Sequence, residues 1–136
     1  MANISLLAIG GGLLFLKFNP QYAKAYNNRG TAKSILEDHL GAILDHTKAI
    51  NINPNYAIAY FNRGNSKDDL KDYEGAISDY NKVIELNPDY TKAYIKRAQI
   101  YYSRGNSKSN LKDHNGAIKD YNKALELDPD YGDAYY

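Results

Sequence analysis

Residues 63–90 read RGNSKDDLKDYEGAISDYNKVIELNPDY, and residues 104–131 read RGNSKSNLKDHNGAIKDYNKALELDPDY, identical at 20 of 28 positions. Upstream, residues 19–52 laid over 53–86 agree at 18 of 34 positions, where unrelated chains of average composition agree at about two or three. Pro20, Pro54, Pro88 and Pro129 keep the same steps of 34, 34 and 41. A fixed period of this length describes a stack of small units, none able to bury its apolar face alone. The third unit carries seven extra residues.

Each unit reads as two helices. In the second, Ala76, Ile77, Tyr80, Val83, Ile84 and Leu86 fall on one helical stripe, and the same stripe recurs over Gly41–Ile52 and Gly116–Leu127. Asp38, Asp72 and Asp113 stand just ahead of these runs as N-caps. The boundaries Asn19-Pro20, Asn53-Pro54, Asn87-Pro88 and Asp128-Pro129 suit a capping residue with Pro at the first helical position, so each Pro is expected to open a helix. No strand-like alternation occurs, and the fold class is all-α.

Composition narrows the function. The chain has 136 residues, 17 basic and 16 acidic, and no Cys. Thiol catalysis and disulfides are excluded, and the absence of Cys fits a reducing compartment or is neutral about compartment; a cytoplasmic location is the expectation. A net charge of +1 offers no basic surplus for phosphates, so nucleic acid is not an expected partner. Fourteen of the 17 aromatic residues are Tyr. Twelve of them fall on repeat-phased positions, Tyr102 and Tyr136 being the exceptions, which reads as core and seam rather than catalysis. His39, His46 and His114 stand where other units have Tyr, so they substitute for packing aromatics. No catalytic set, metal site or cofactor motif is present.

The units resemble the tetratricopeptide repeat, a 34-residue helix-turn-helix. Its first aromatic corresponds to Tyr26, Tyr60, Tyr94 and Tyr135, its small helix A residue to Gly30, Gly64 and Gly105, and its helix B Ala to Ala42, Ala76 and Ala117. The second aromatic is Tyr80 and Tyr121 but His46 in the first unit; the second Ala is Ala49 and Ala124 but Val83 in the second. The closing Pro is Pro54, Pro88 and Pro129. Lys33, Lys67 and Lys108 replace a usual aromatic, which suggests a more polar outer edge. The Arg-Gly-x-x-Lys and Asp-Tyr-x-Gly-Ala-Ile runs look like bacterial, notably cyanobacterial, repeats. The resemblance implies a short right-handed superhelix over residues 19–136, with repeats at 19–52, 53–86 and 87–127 and a partial unit at 128–136.

Two segments depart from the pattern. The extra heptad predicts a long helix A over Pro88 to Leu111, because seven residues make two turns and preserve the apolar face within about 20°. A standard helix followed by a loop through residues 105–110 is the alternative. The long helix would leave an overhang with Ile95, Ile100, Tyr101 and Tyr102 in need of cover. Residues 4–18 are almost wholly apolar and contain Gly10-Gly11-Gly12. As a helix they span roughly 22 Å against a roughly 30 Å hydrocarbon core. They read as a degenerate capping helix, a membrane-associated anchor, or a tag or docking strand. Leu13, Leu14 and Phe15 there, with Ile100, Tyr101, Tyr102, Tyr135 and Tyr136, are candidates for self-association, and a homo-oligomer is expected.

The resemblance further implies a protein-interaction scaffold, not an enzyme, in which helix A residues line a concave groove for a partner's peptide. Those positions are Lys24, Asn27, Thr31 and Ser34, then Ile58, Phe61, Asn62, Asn65 and Asp69, then Lys92, Ile95 and Lys96. In one sub-class a five-residue clamp holds a C-terminal carboxylate. Asn62, Lys92 and Lys96 sit at matching positions, with Lys96 in place of an Arg, whereas Asn27 and Thr31 stand where Lys and Asn would be expected. The alternative is a self-associating structural array with no peptide ligand.

Overall fold

The computed structural model describes residues 19–130. Six helices follow one another: α1 (Pro20–Ile35), α2 (His39–Ile52), α3 (Ala57–Asp69), α4 (Tyr73–Leu86), α5 (Thr91–Asn110) and α6 (His114–Leu127). There is no strand among the described residues. The expectations for residues 1–18, Tyr135 and Tyr136 lie outside this range. Consecutive helices pack in series, α1 on α2, α3 on α4 and α5 on α6, with α2 on α3 and α4 on α5 joining the pairs. The chain is an all-α helical repeat array.

Within each pair one three-residue turn recurs. Leu36 ends α1, Glu37 takes the left-handed conformation (φ 65), and Asp38 caps α2 by accepting from the Gly41 N–H at 2.9 Å. The Asp38 N–H also donates to Lys33 O, and the Glu37 N–H to Ser34 O, which satisfies the last carbonyls of α1. Lys71 and Lys112 repeat the left-handed position, and Asp72 and Asp113 repeat the cap. The three expected Asp caps are therefore present.

The prolines behave differently from expectation. Only Pro20 opens a helix, with the Asn19 side chain accepting from the Gln21 N–H at 2.9 Å. Asn53 and Asn87 first close the preceding helices through their own N–H groups, to Ala49 O and Val83 O. Their carbonyls then accept from Tyr56 and Tyr90, and their side chains from Asn55 and Asp89. Pro54 and Pro88 thus sit inside turns, and α3 and α5 start three residues later.

The extra heptad is helical. Helix α5 has 20 residues where α3 has 13, and it runs from Thr91 to Asn110 rather than from Pro88 to Leu111. Its packing has two registers. In α3, Arg63 alone reaches back to Thr47 of α2 (3.2 Å) and forward to Asp79 of α4 (2.9 and 2.7 Å). In α5 these tasks are divided. Arg97 reaches back to Asn81 of α4 at 2.7 Å, and Arg104 forward to Asp120 of α6 at 2.9 and 2.8 Å. Helix α6 is thereby displaced along the axis of α5 by two turns, about 10 Å. The expected uncovered overhang is corrected by this arrangement: Ile100 is only 1% exposed and belongs to the core, Tyr101 packs against that core, and the Tyr102 ring lies 5.9 Å from Tyr121. Ile95 does remain exposed.

Deleting residues 95–101 should restore the second unit's spacing, with Arg104 bonding both Asn81 and Asp120. The shortened chain is expected to unfold cooperatively, with stability changed by less than about 3 kcal/mol. Loss of a cooperative thermal transition by circular dichroism would show that the two registers are not equivalent.

Candidate functional site

Behind the helix A row lies a charge cluster repeated three times. Asp45 of α2 accepts from Arg29 Nε and Nη2 at 2.7 and 2.8 Å, with Lys33 Nζ at 3.0 Å. Asp79 meets Arg63 and Lys67, and Asp120 meets Arg104 and Lys108, at 2.7 to 3.0 Å. All three aspartates are buried. The Arg29 hydrogen bonds, with Lys33 and both charges assisting against burial, hold the Asp45 carboxyl at about 2. At Asp120 burial pushes the carboxyl up, but the Arg104 and Lys108 bonds and charges together bring it below its ordinary value. Lys33, Lys67 and Lys108 thus turn inward onto carboxylates and do not form the expected polar edge. The missed signal was available: an Arg, a Lys four residues on and an Asp sixteen residues on recur in every unit.

In front of this cluster stand the helix A residues. Lys24, Thr31, Lys92 and Ile95 are exposed, and Ser34, Ile58, Asn62, Asn65 and Lys96 are half-buried. Two expected groove residues are core. Phe61 is buried with its ring 5.8 Å from Tyr80 and 5.2 Å from Tyr90. Asn27 is buried with its Oδ1 2.9 Å from His46 Nδ1. These two facts are related, since Asn27, Phe61 and Tyr102 are equivalent positions facing His46, Tyr80 and Tyr121. The second and third units use a ring pair; the first uses a polar pair.

His46 is fully buried, and its Nε2 has no hydrogen-bond partner. Burial lowers its pKa to about 4, the Arg63 charge adding to this while Asp45 and Asp79 oppose it. The ring is neutral at pH 7. Beside it an open pocket of about 140 Å³ is walled by Thr31, Ser34, Ile35, His46, Asn62 and Asn65. The Asn62 amide donates to Asn27 Oδ1 (3.2 Å) and Thr31 Oγ1 (3.4 Å), and Asn65 Oδ1 accepts from the Tyr80 hydroxyl (2.7 Å). At the other end of the row, burial raises the Asp68 carboxyl's pKa and the Lys96 charge opposes that rise. Lys96 therefore already lies within electrostatic reach of a carboxylate. Asn62, Lys92 and Lys96, which match the carboxylate clamp, are not three free donors.

The family model of the tetratricopeptide repeat matches residues 57–90 and 98–131, half of the 136 residues. The chain belongs to the tetratricopeptide repeat family, a protein-interaction fold. The second match begins inside α5, at the register set by Arg104 and Asp120. The first repeat domain of Spaghetti (RPAP3), solved bound to the HSP90 peptide SRMEEVD, is 29% identical, with 87% of this chain and 88% of that one covered and a TM-score of 0.60. MamA is likewise 29% identical, with a TM-score of 0.61 over 85% of this chain and 59% of that one. The Arabidopsis OM64 repeat domain, at 23% identity and a TM-score of 0.59 over 85% of this chain and 90% of that one, shares the fold. No curated protein sequence matches the chain significantly. Among the described residues, no helix is long and apolar enough to cross a membrane.

Asp79→Ala is expected to cost about 3 kcal/mol in urea denaturation, because it strands the Arg63 guanidinium. Asp45→Ala should cost less, since the Arg29 side chain is 55% exposed against 17% for Arg63 and stays hydrated. Equal losses would contradict this ordering. For His46 the folded pKa of about 4 lies below the ordinary 6.5. Its contribution is complete above pH 6.5 and is lost as pH falls from there towards 4, up to about 3 kcal/mol in all. The double variant Asn27→Phe, His46→Tyr should remove that slope from a series of denaturation curves. An unchanged slope would mean that another group titrates.

Proposed function

We propose that this protein is an interaction scaffold or adaptor that holds a peptide segment of a partner protein along α1, α3 and α5. The observation that supports this reading best is the row itself: Thr31, Asn62 and Asn65 border an open pocket, and Lys92 and Ile95 are exposed further along. A relative 29% identical over most of both chains was solved with a peptide bound. Lys24, Ile58 and Lys96 complete the proposed contact set, in a cytoplasmic protein. Lys92 gives the third unit a cationic end, suited to acidic residues flanking the bound segment.

A second reading has an observation of its own. Ile118 on α6 is 56% exposed, whereas its equivalent Ile77 on α4 is 8% exposed beneath α5. A second copy covering α6 would make the protein a self-associating array. Residues 4–18, with Leu13, Leu14 and Phe15, would then serve either as a cap on α1 or as a membrane contact.

A peptide array probed with the full chain, followed by amide chemical-shift mapping of the best binder, separates the two. The peptide reading expects shifts at Thr31, Asn62 and Lys92 and a loss of affinity of at least about tenfold in Lys92→Glu. Absence of any binder, together with a concentration-dependent mass that Ile118→Lys abolishes in light scattering, would replace it with the array reading.

A further inference from the structure

The pocket beside His46 has a hydrogen-bonding pattern of its own. Asn62 and Asn65 lie three residues apart on α3, so their side chains are neighbours on one helix face. Their internal bonds leave them complementary. Both contacts of Asn62 use its Nδ2, towards Asn27 and Thr31, which leaves its Oδ1 as an acceptor. Asn65 is tied through its Oδ1 to Tyr80, which leaves its Nδ2 as a donor. Thr31 already donates to Asn27 O. None of the six lining residues is a Lys, Arg, Asp or Glu, and the one titratable ring, His46, is neutral at pH 7. Ile35 supplies an apolar wall, and the volume of about 140 Å³ compares with the roughly 10–15 Å³ that a single water requires.

We propose that this pocket is a subsite for the carboxamide of a Gln or Asn side chain in the bound peptide. The ligand N–H donates to Asn62 Oδ1 and the ligand C=O accepts from Asn65 Nδ2. Ile35 covers the methylene groups, which favours the longer Gln. A Glu side chain has the same shape but fails twice: its oxygen meets the Asn62 oxygen where a donor is needed, and its charge enters a pocket that holds no cation. The subsite rests on the peptide-groove reading and adds selectivity to it. It also separates this groove from one that grips a carboxylate, since the Asn62 donors such a group would need are engaged within the fold.

The test uses the full ¹⁵N-labelled chain and two isosteric probes, Ac-Ala-Gln-Ala-NH2 and Ac-Ala-Glu-Ala-NH2, titrated at pH 7. The Gln peptide is expected to shift the Asn62 and Asn65 side-chain amide resonances saturably and to bind at least about tenfold more tightly than the Glu peptide. Asn65→Asp keeps an acceptor for the Tyr80 hydroxyl but removes the donor to the ligand C=O, and should weaken the Gln peptide at least about tenfold, while the Glu peptide gains nothing because the new carboxylate repels it. Asn106→Asp makes the same chemical change at the equivalent Tyr121 contact in the third unit and should leave the preference intact. Equal affinities, a preference for Glu, or a Gln affinity unchanged by Asn65→Asp overturns the subsite. Equal binding with shifts at Lys92 and Lys96 overturns it while leaving the groove reading standing. If neither probe shifts any residue of α1, α3 or α5, the subsite and the groove reading both fall.

Discussion

One steric contact sets the geometry of every unit, the seating of a helix B ring on a helix A glycine. A methyl group added to Gly30, Gly64 or Gly105 would stand 2.8, 2.9 or 2.7 Å from the ring of His46, Tyr80 or Tyr121. No residue with a Cβ permits that approach without the ring moving. The closeness has an electrostatic consequence. With the helices this near, an arginine next to the glycine spans to the aspartate next to the ring and places both Nε and Nη2 on its carboxylate. Arg29 with Asp45, Arg63 with Asp79 and Arg104 with Asp120 keep one geometry because Gly30, Gly64 and Gly105 follow those arginines directly. The ring fixes how far apart the helices lie, and the planar guanidinium fork fixes their register. A buried ion pair of this kind contributes little net stability over an apolar pair. Its effect is on alignment, since sliding one helix by a turn would strand a charge.

That alignment makes the inserted heptad tolerable. Seven residues return the helix to nearly the same face, so α5 can present one set of residues to α4 and a second set to α6. The arginine positions make this visible. Arg63 serves both neighbours, whereas Arg97 and Arg104 serve one each, a heptad apart. The division is imperfect at one atom. Arg97 Nε is buried and unbonded, because the aspartate that completes the cluster in the other units has moved two turns away with α6. Ala98 follows Arg97 where glycine follows the other three, consistent with no helix B ring seated on it.

How much of this was legible in the sequence depended on whether the determinant was periodic. Helix pairing, the Asp caps and the long α5 follow from spacing alone, because Asp38, Asp72 and Asp113 and the heptad each leave a repeated mark. The ion clusters were equally periodic, but their lysines replace an aromatic of the family pattern and so looked like surface residues. The proline positions misled because Asn53 and Asn87 do two jobs. They end one helix before they begin another, and the turn needed in between shifts the start of α3 and α5. Glu37, Lys71 and Lys112 carry positive φ without being glycine; Schellman hydrogen bonding stabilises that conformation, and composition leaves no trace of it. Groove membership was legible only by analogy, so Asn27 and Phe61, which face the helix B ring, were misplaced together.

The first unit shows how core and groove are linked. Exchanging a ring pair for Asn27 and His46 introduces polar atoms into the core, of which His46 Nε2 stays unbonded and Asn27 Oδ1 is tied into the array. Asn27 Oδ1 faces His46 Nδ1 and also accepts from Asn62, a residue of the next unit. The seam between α1 and α3 is therefore tied by a side-chain bond that starts in the core and ends on the groove wall. This bond orients Asn62, so the identity of a buried pair decides which atom Asn62 presents to a ligand. Were Phe to stand at position 27, as it does at 61, the Asn62 amide would lose its stronger internal acceptor and be released to donate outward. The polar core of the first unit thus governs the hydrogen-bonding character of the groove.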